Sequence, residues 1–443
     1  MKRWVVFLLV LLALIILVSP GVVGRLAEQS LKDSVSWAER GSDEFLVTEE
    51  AFDRGWFTTE GRHRLEFRNG DLRSGILSLS GGNAGDDTPA IVVDTRIDHG
   101  LVPVTSMSRK AWSLMPGLAS TVSTMQLDPG DGKLVPIPGT LYSQVRLTGA
   151  TVLRYLLEAG SVDGEDTAIE WAGADISMST DSSRQTLQYD GTIDPMHLQT
   201  GDQSFHLGRT TLEGDSRYTG YGFMVGRVAL RMASMSMTRD DGGAVTAGNL
   251  ALDARSDIVD ERVNATTTMN VADLSLADFG DVDVALDVAA TGLDARSLHA
   301  ILTELQQAER TPDRDAALAA LYPRIEEDLQ AFLSSGAELR IDKFDVSLPL
   351  GEVTARLRLA LPETDAASAF SWPTLILALT ASADLRVPVA LMELAQVANP
   401  QSGALVAMGI LKKDGDSYIV NAEYQKGLLT VNGAPLPIPL PGR

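Results

Sequence analysis

The chain has no cysteine. This excludes disulfides, thiolate metal sites, thiol catalysis and a lipidated cysteine anchor. Basic residues are also scarce: 37 Lys and Arg stand against 59 Asp and Glu, a net charge of −22. Nucleic acid is excluded as a partner, because phosphate binding needs a net basic face. Aromatics make up only 6 % of the residues. Long apolar runs are missing too, except at the very start. Hydrophobic residues nevertheless reach 44 % of 443, enough for a sizeable core, so the chain reads as folded.

The exception at the start is an unbroken apolar run from Trp4 to Val18, preceded by Lys2 and Arg3. Extended to Val23 it reaches about 30 Å as a helix, the thickness of a bilayer core. Basic residues before the run favour a cytoplasmic N-terminus and an exported body. Two readings stand: an uncleaved anchor, and a signal peptide cut before Arg25. The uncleaved anchor is favoured, because Val22 and Gly24 fit the small-residue cleavage pattern poorly. Trp4, Phe7, Leu11, Ile15 and Val18 are the anchor residues on this reading, and the inner membrane is the expected location.

Beyond Gly41, strand signals take over. Val282, Val284, Leu286, Val288 and Ala290 alternate with Asp283, Ala285, Asp287 and Ala289. Period two with acids on one side describes a sheet with one packed and one wet face. Val263 to Val271 and Val353 to Leu361 repeat the pattern, and Leu375 to Val387 share one parity. Turn residues between such runs favour antiparallel meanders over βαβ units. The run from Arg109 to Gln126 is read as a helix interrupted at Pro116-Gly117. A helical insert is expected over 295–335. Asp294 is its candidate N-cap, and its second helix is expected to kink near Pro323 and close at Gly336. Short helices are expected near Val389–Val397 and Gly403–Leu411. The chain then ends in a hairpin joined at Lys426-Gly427 and a proline-rich tail.

The expected fold class is β-dominated α+β. It comprises an extended antiparallel sheet body, a minor helical insert and an N-terminal transmembrane helix. The expected regions are an anchor over 1–24, a β-rich region over 25–150, a meander over 151–294, the insert over 295–335 and a β-rich end over 336–443.

No catalytic, cofactor or metal residue is assigned. The five histidines, His63, His99, His197, His206 and His299, never fall at i, i+4. Gly220, Gly222 and Gly226 lack dinucleotide-loop spacing. Asp86-Asp87 and Asp240-Asp241 lie in Gly-rich turns, where Asp is favoured for backbone reasons. Met224, Met232, Met235 and Met237 read as core packing, with a promiscuous apolar surface as the functional alternative.

Two segments resemble the YdgA-like family of bacterial envelope proteins. One is Arg54-Gly55-Trp56-Phe57, followed by Thr58-Thr59 where two serines are more usual. The other is the C-terminal stretch around Asn432-Gly433, with Tyr418 in place. The resemblance implies an anchored periplasmic protein with a β-rich body and offers no catalytic residues to carry over. Both motifs read as structural, with Gly55 at a bend and Trp56 as a packing anchor. Three functions remain open. The first is a non-enzymatic binding or scaffold protein with an apolar groove for lipid. The second is an adaptor pairing its sheet edge with another envelope protein. The third, least favoured, is a carboxylate-dependent hydrolase.

Overall fold

The computed structural model describes residues 45–55, 58–68, 73, 88–99, 117–128, 130, 134–163, 167–201, 203–238, 243–276, 280–310, 314–363, 372–398 and 401–436. The expected transmembrane helix lies outside the described residues. The body is β-dominated and antiparallel, with few helices, and it divides into two compact units. One is Met1–Gly160 with Ala172–Ile193, the other Ser161–Trp171 with Asp194–Arg443.

The first unit begins as a meander: β1 (Phe45–Arg54), β2 (Thr58–Phe67), β3 (Ala90–His99), β4 (Gly117–Asp128), β5 (Val135–Arg146) and β6 (Thr151–Leu157). Each pairs with the next. The strands β7 (Gly160–Asp163) and β8 (Thr167–Trp171) follow. Then β9 (Ala174–Thr180) pairs with β6, and β10 (Thr186–Ile193) with β9. The helix expected over Arg109 to Gln126 is corrected from Gly117 onward, where β4 is a strand. The Ser-Thr-Val-Ser-Thr run from Ser120 to Thr124 prefers an extended chain. In β5, Pro136 lies opposite Gln126 of β4 and Pro138 falls in the β4–β5 register shift, while β6 begins pairing only at Thr140, so both prolines sit at an edge or a bulge.

The second unit pairs β8 with β11 (Met196–Thr200), and β11 with β12 (Gln203–Leu207). Both β12 and β13 (Thr210–Tyr218) lie along β14 (Met224–Thr238). From there the sheet continues through β15 (Ala244–Val259), β16 (Arg262–Leu276), β17 (Gly280–Asp294), β18 (Glu338–Leu348), β19 (Gly351–Ala360) and β20 (Thr380–Pro388). Next to β20 runs β22 (Ser417–Gln425), which also pairs with β21 (Lys412–Asp414) and β23 (Leu428–Val431). The last strand is β24 (Ala434–Leu436), a pairing not expected from the proline-rich tail.

Helices Ala295–Arg310, Arg314–Ala319 and Leu321–Leu333 occupy the stretch after β17. Asp294 caps the first: its carboxylate accepts from the Ser297 amide at 2.8 Å and the Ser297 hydroxyl at 2.7 Å. Pro323 does not kink a continuous helix. It lies in the first turn of the helix Leu321–Leu333, where a missing amide proton costs nothing. The strand expected from Leu375 is also corrected: Trp372–Ala378 is a helix, and the strand begins at Thr380. Pro373, in that helix's first turn, is a start signal within an apolar run that has no polar periodicity.

Candidate binding surface

Residues directly opposite in neighbouring strands point to the same face of a sheet. Applied from β15 to β23, that rule separates two chemistries. On one face, Leu252 stands opposite Met269, Met269 opposite Leu286, and Leu286 opposite Phe344. The row continues through Ala355, Leu385 and Val420. A parallel row passes through Val288, Ile341, Leu357, Ala383 and Ala422 to Val431. Outside the β16 bulge at Ala272–Asp273, no Asp, Glu, Lys or Arg falls on this face among the described residues of β15–β20, β22 and β23; on the short β21, Lys413 lies opposite Tyr418 and so shares the face.

The charges lie on the other face. Arg356 reaches Asp345 at 2.8 Å, and Arg358 reaches Glu338 at 2.9 Å. Arg231 and Arg227 both engage Asp253, whose carboxyl is held below its ordinary value chiefly by the Arg231 hydrogen bond. These pairs are largely solvated, so each adds at most about 1 kcal/mol. They make the face soluble more than they hold the sheet together.

The apolar face is not sealed. Val263, Val282 and Tyr424, near strand ends, are buried. Between them Val284, Leu286, Val346, Phe344 and Leu357 are only half-buried, and Leu339 is 41 % exposed. Helices approach at the strand ends. Ala295–Arg310 and Leu321–Leu333 touch β17, and Val389–Ala398 touches β20 and β22. The carbonyl of Ile376, in Trp372–Ala378, accepts from the Tyr424 hydroxyl at 2.7 Å. The face thus has length: fifteen residues of β17 extend about 50 Å. Half a bilayer core is about 15 Å.

The first unit offers a different concavity, lined by Asp53, Glu60, Arg62, Asp94 and Arg96 on β1 to β3. Two of its acids are answered by arginines across the strands. Arg62 grips both oxygens of Asp94, at 2.7 and 2.8 Å, and Arg96 lies 3.7 Å from Glu60. Among the described residues, no three His, Asp or Glu side chains gather as a metal site. His197 and His206 are cross-strand neighbours with ring centres 6.4 Å apart.

The anchor residues Trp4, Phe7, Leu11, Ile15 and Val18 lie outside the described residues. Among the described residues, no helix is long and apolar enough to cross a membrane. Arg54 ends β1 opposite Thr59. Its side chain, with Trp56 and Phe57, lies outside the described residues. Gly55 donates its amide to the Thr58 carbonyl at 2.8 Å, and a Cβ there would stand 2.8 Å from that oxygen. A glycine is therefore what lets the β1–β2 turn close. Asn432 and Gly433, at φ 50° and 80°, form the two-residue turn between β23 and β24. The Asn432 side chain also accepts from the Asn421 amide at 2.9 Å and donates to the carbonyls of Gly409 at 3.1 Å and Ile410 at 3.0 Å.

The family described as "Bacterial protein of unknown function (DUF945)" matches residues 1–439, and the chain belongs to it. No curated protein matches the chain. No solved structure matches it either.

Proposed function

We propose that this chain is a YdgA-like envelope protein, held in the inner membrane by its N-terminal apolar segment, that binds acyl chains on the apolar sheet face of its second unit without catalysis. The observation that carries the reading is the separation of faces from β15 to β23. A face of half-buried aliphatic side chains, with Lys413 as its charge at the β21 end, suits a ligand whose body neither donates nor accepts hydrogen bonds. A peptide strand laid on it would leave its backbone groups unanswered. In the first unit's concavity Arg62 answers Asp94 and Arg96 lies near Glu60, which weighs against the hydrolase reading there.

Full-length protein, extracted from membranes and freed of detergent, tests the binding reading. The expected result is co-purified lipid by mass spectrometry and saturable uptake of a fluorescent fatty acid. Leu357→Glu with Val346→Glu puts two carboxylates on the face and should weaken uptake about tenfold or more. Equal uptake by the folded double variant, or none by wild type, would contradict the reading. Fractionation tests the anchor separately. Leu12→Arg should leave part of the protein outside the membrane, since an arginine at mid-bilayer costs about 2.5–3.5 kcal/mol on insertion scales. Wild type that washes off membranes in carbonate would contradict it.

A further inference from the structure

On β11 and β12 two histidines stand side by side. His197 lies directly opposite His206 in the antiparallel pair, with ring centres 6.4 Å apart and ring planes tilted by 47°. Such a pair holds its Cβ atoms about 5 Å apart on one face of the sheet, so both imidazoles project to the same side. The row continues to Glu170 of β8, opposite His197, and to Ser236 of β14, opposite His206. His197 and Glu170 are exposed, and His206 is half-buried. Neither imidazole forms a hydrogen bond or ion pair among the described residues, so their nitrogens are open to a ligand. We propose that His197 and His206 together bind one divalent transition-metal ion of borderline softness, copper(II) most tightly.

The spacing fits a shared ion. Metal–imidazole bonds of about 2.0–2.1 Å set each ring centre roughly 3 Å from the ion, so two rings on one ion lie about 5–6 Å apart. Rotation about the side-chain torsions closes the small remaining difference. The two imidazoles fill two positions of the ion and water the others, which leaves the site open.

Ligand chemistry and charge select the ion. Imidazole nitrogens suit zinc, nickel and copper(II), whereas magnesium and calcium require oxygen ligands. Copper(II) stands highest of the divalent series at such a site. The strands around the pair repel no cation: β8, β11 and β12 contain no Lys or Arg, and Glu170 stands beside His197. The net charge of −22 adds a general attraction for cations. An ion held by both rings joins β11 to β12, so binding and the local pairing of these strands support each other. This site does not depend on acyl-chain binding by the apolar face.

The absence of cysteine makes the test clean, because no thiolate competes for the ion. Copper(II) and zinc(II) are each titrated into the full-length, untagged protein in detergent micelles and a non-coordinating buffer. One tight copper(II) ion per chain is the expected result, with two imidazole nitrogens in its pulsed electron paramagnetic resonance spectrum. Zinc(II) in excess should displace it. Loss of an outer partner of a metal ligand costs about 10–100-fold in affinity, so loss of a ligand itself, in His197→Gln or His206→Gln, should cost about tenfold or more. The two losses should not add in the double variant, since one imidazole alone makes no chelate. His63→Gln is the control and should bind as wild type does. A wild-type spectrum with one imidazole nitrogen or none would overturn the proposal, whether or not any variant folds. So would folded single variants that bind copper(II) as tightly as wild type, or a wild type that binds it no more tightly than the double variant.

Discussion

Strands β3 and β17 each have a neighbour on both edges, yet they place charge in opposite ways. In β3 one row runs Ala90, Val92, Asp94, Arg96 and Asp98, mixing apolar and charged groups on one face. Val92 is 2 % exposed and Asp98 3 %. On the opposite face Ile97 is buried as well, as is Ala119 of β4, which stands opposite His99. The strand is buried on both faces at these positions, while Arg62 and Asp94, paired at 2.7 Å, remain 40 % and 39 % exposed to the concavity. In β17 the aliphatic row and the acidic row are separated, and the aliphatic row stays half-open. A strand that mixes buried apolar residues and ion pairs on one face leaves no continuous apolar area. A segregated strand leaves apolar area that a ligand can cover.

The sharpest way to break this comparison is to place one carboxylate in each apolar row. Val92→Asp buries an acid where space and water are both lacking, at a cost of about 4 kcal/mol or more. Val284→Asp, on the half-open face, should cost about half as much, because the new group can reach solvent. Thermal unfolding of the two variants measures the difference, and equal losses would erase the distinction between the rows. Ion pairs give the next contrast. Arg64 lies 2.7 Å from the 3 % exposed Asp128, and the Gly130 amide supplies a further bond at 2.9 Å. Arg64→Leu strips a buried carboxylate of its countercharge and should cost about 3 kcal/mol. Arg356→Leu breaks a solvated pair with Asp345 and should cost less than about 1 kcal/mol. Denaturant titration of both variants checks the order.

Those contrasts were partly legible in the amino-acid order. The parity of Val282 to Ala290 announces a one-sided sheet, and the pairings with Phe344 and Met269 place the apolar residues on one face. Asp294 announced the helix it caps. What stayed hidden depends on distance in sequence. Nothing in Ala90 to His99 says that Asp128 will meet Arg64, sixty-four residues away. Nor does periodicity resolve Leu375 to Leu379, where apolar residues at every position fit helix and strand alike. The exposure of Val397 and Met408, in or beside the helices Val389–Ala398 and Gln401–Ala407, was also out of reach, since an apolar helix reads as core until its surroundings are known. Asn432 was singled out from a motif, while its bonds to Gly409 and Ile410 needed the fold.

A smaller effect sharpens the same comparison at the C-terminal end. Asn432→Ala removes three side-chain hydrogen bonds from a residue in a left-handed turn. The expected loss is about 1–2 kcal/mol, with faster amide exchange across 403–411 and little change in the first unit. Uniform acceleration across both units would show that the turn is not a local tie.

The smallest effect is in acid. Arg154 holds the Asp175 carboxyl below its ordinary value of 3.8, chiefly through their hydrogen bond, and Arg231 does so for Asp253. A depressed folded value means that the unfolded chain takes up the proton first. Each pair's contribution is therefore complete above about pH 4 and is lost as pH falls through the folded value. One pair lies in each unit and both are open to solvent, so the losses should be small and alike. A stability profile from pH 5 to 2 on Asp175→Asn and Asp253→Asn measures them, and a steep loss confined to one unit would contradict the equivalence.

The central claim is that the apolar face from β15 to β23 receives acyl chains, and residue parity tests it most directly. A fatty acid bearing a photoactivatable diazirine is added to the full-length protein, and cross-linked residues are mapped along β19 by peptide mass spectrometry. The account predicts adducts at Val353, Ala355, Leu357 and Leu359, and none at Glu352, Thr354, Arg356 and Arg358. Adducts spread over both parities, or concentrated in the first unit, would contradict it.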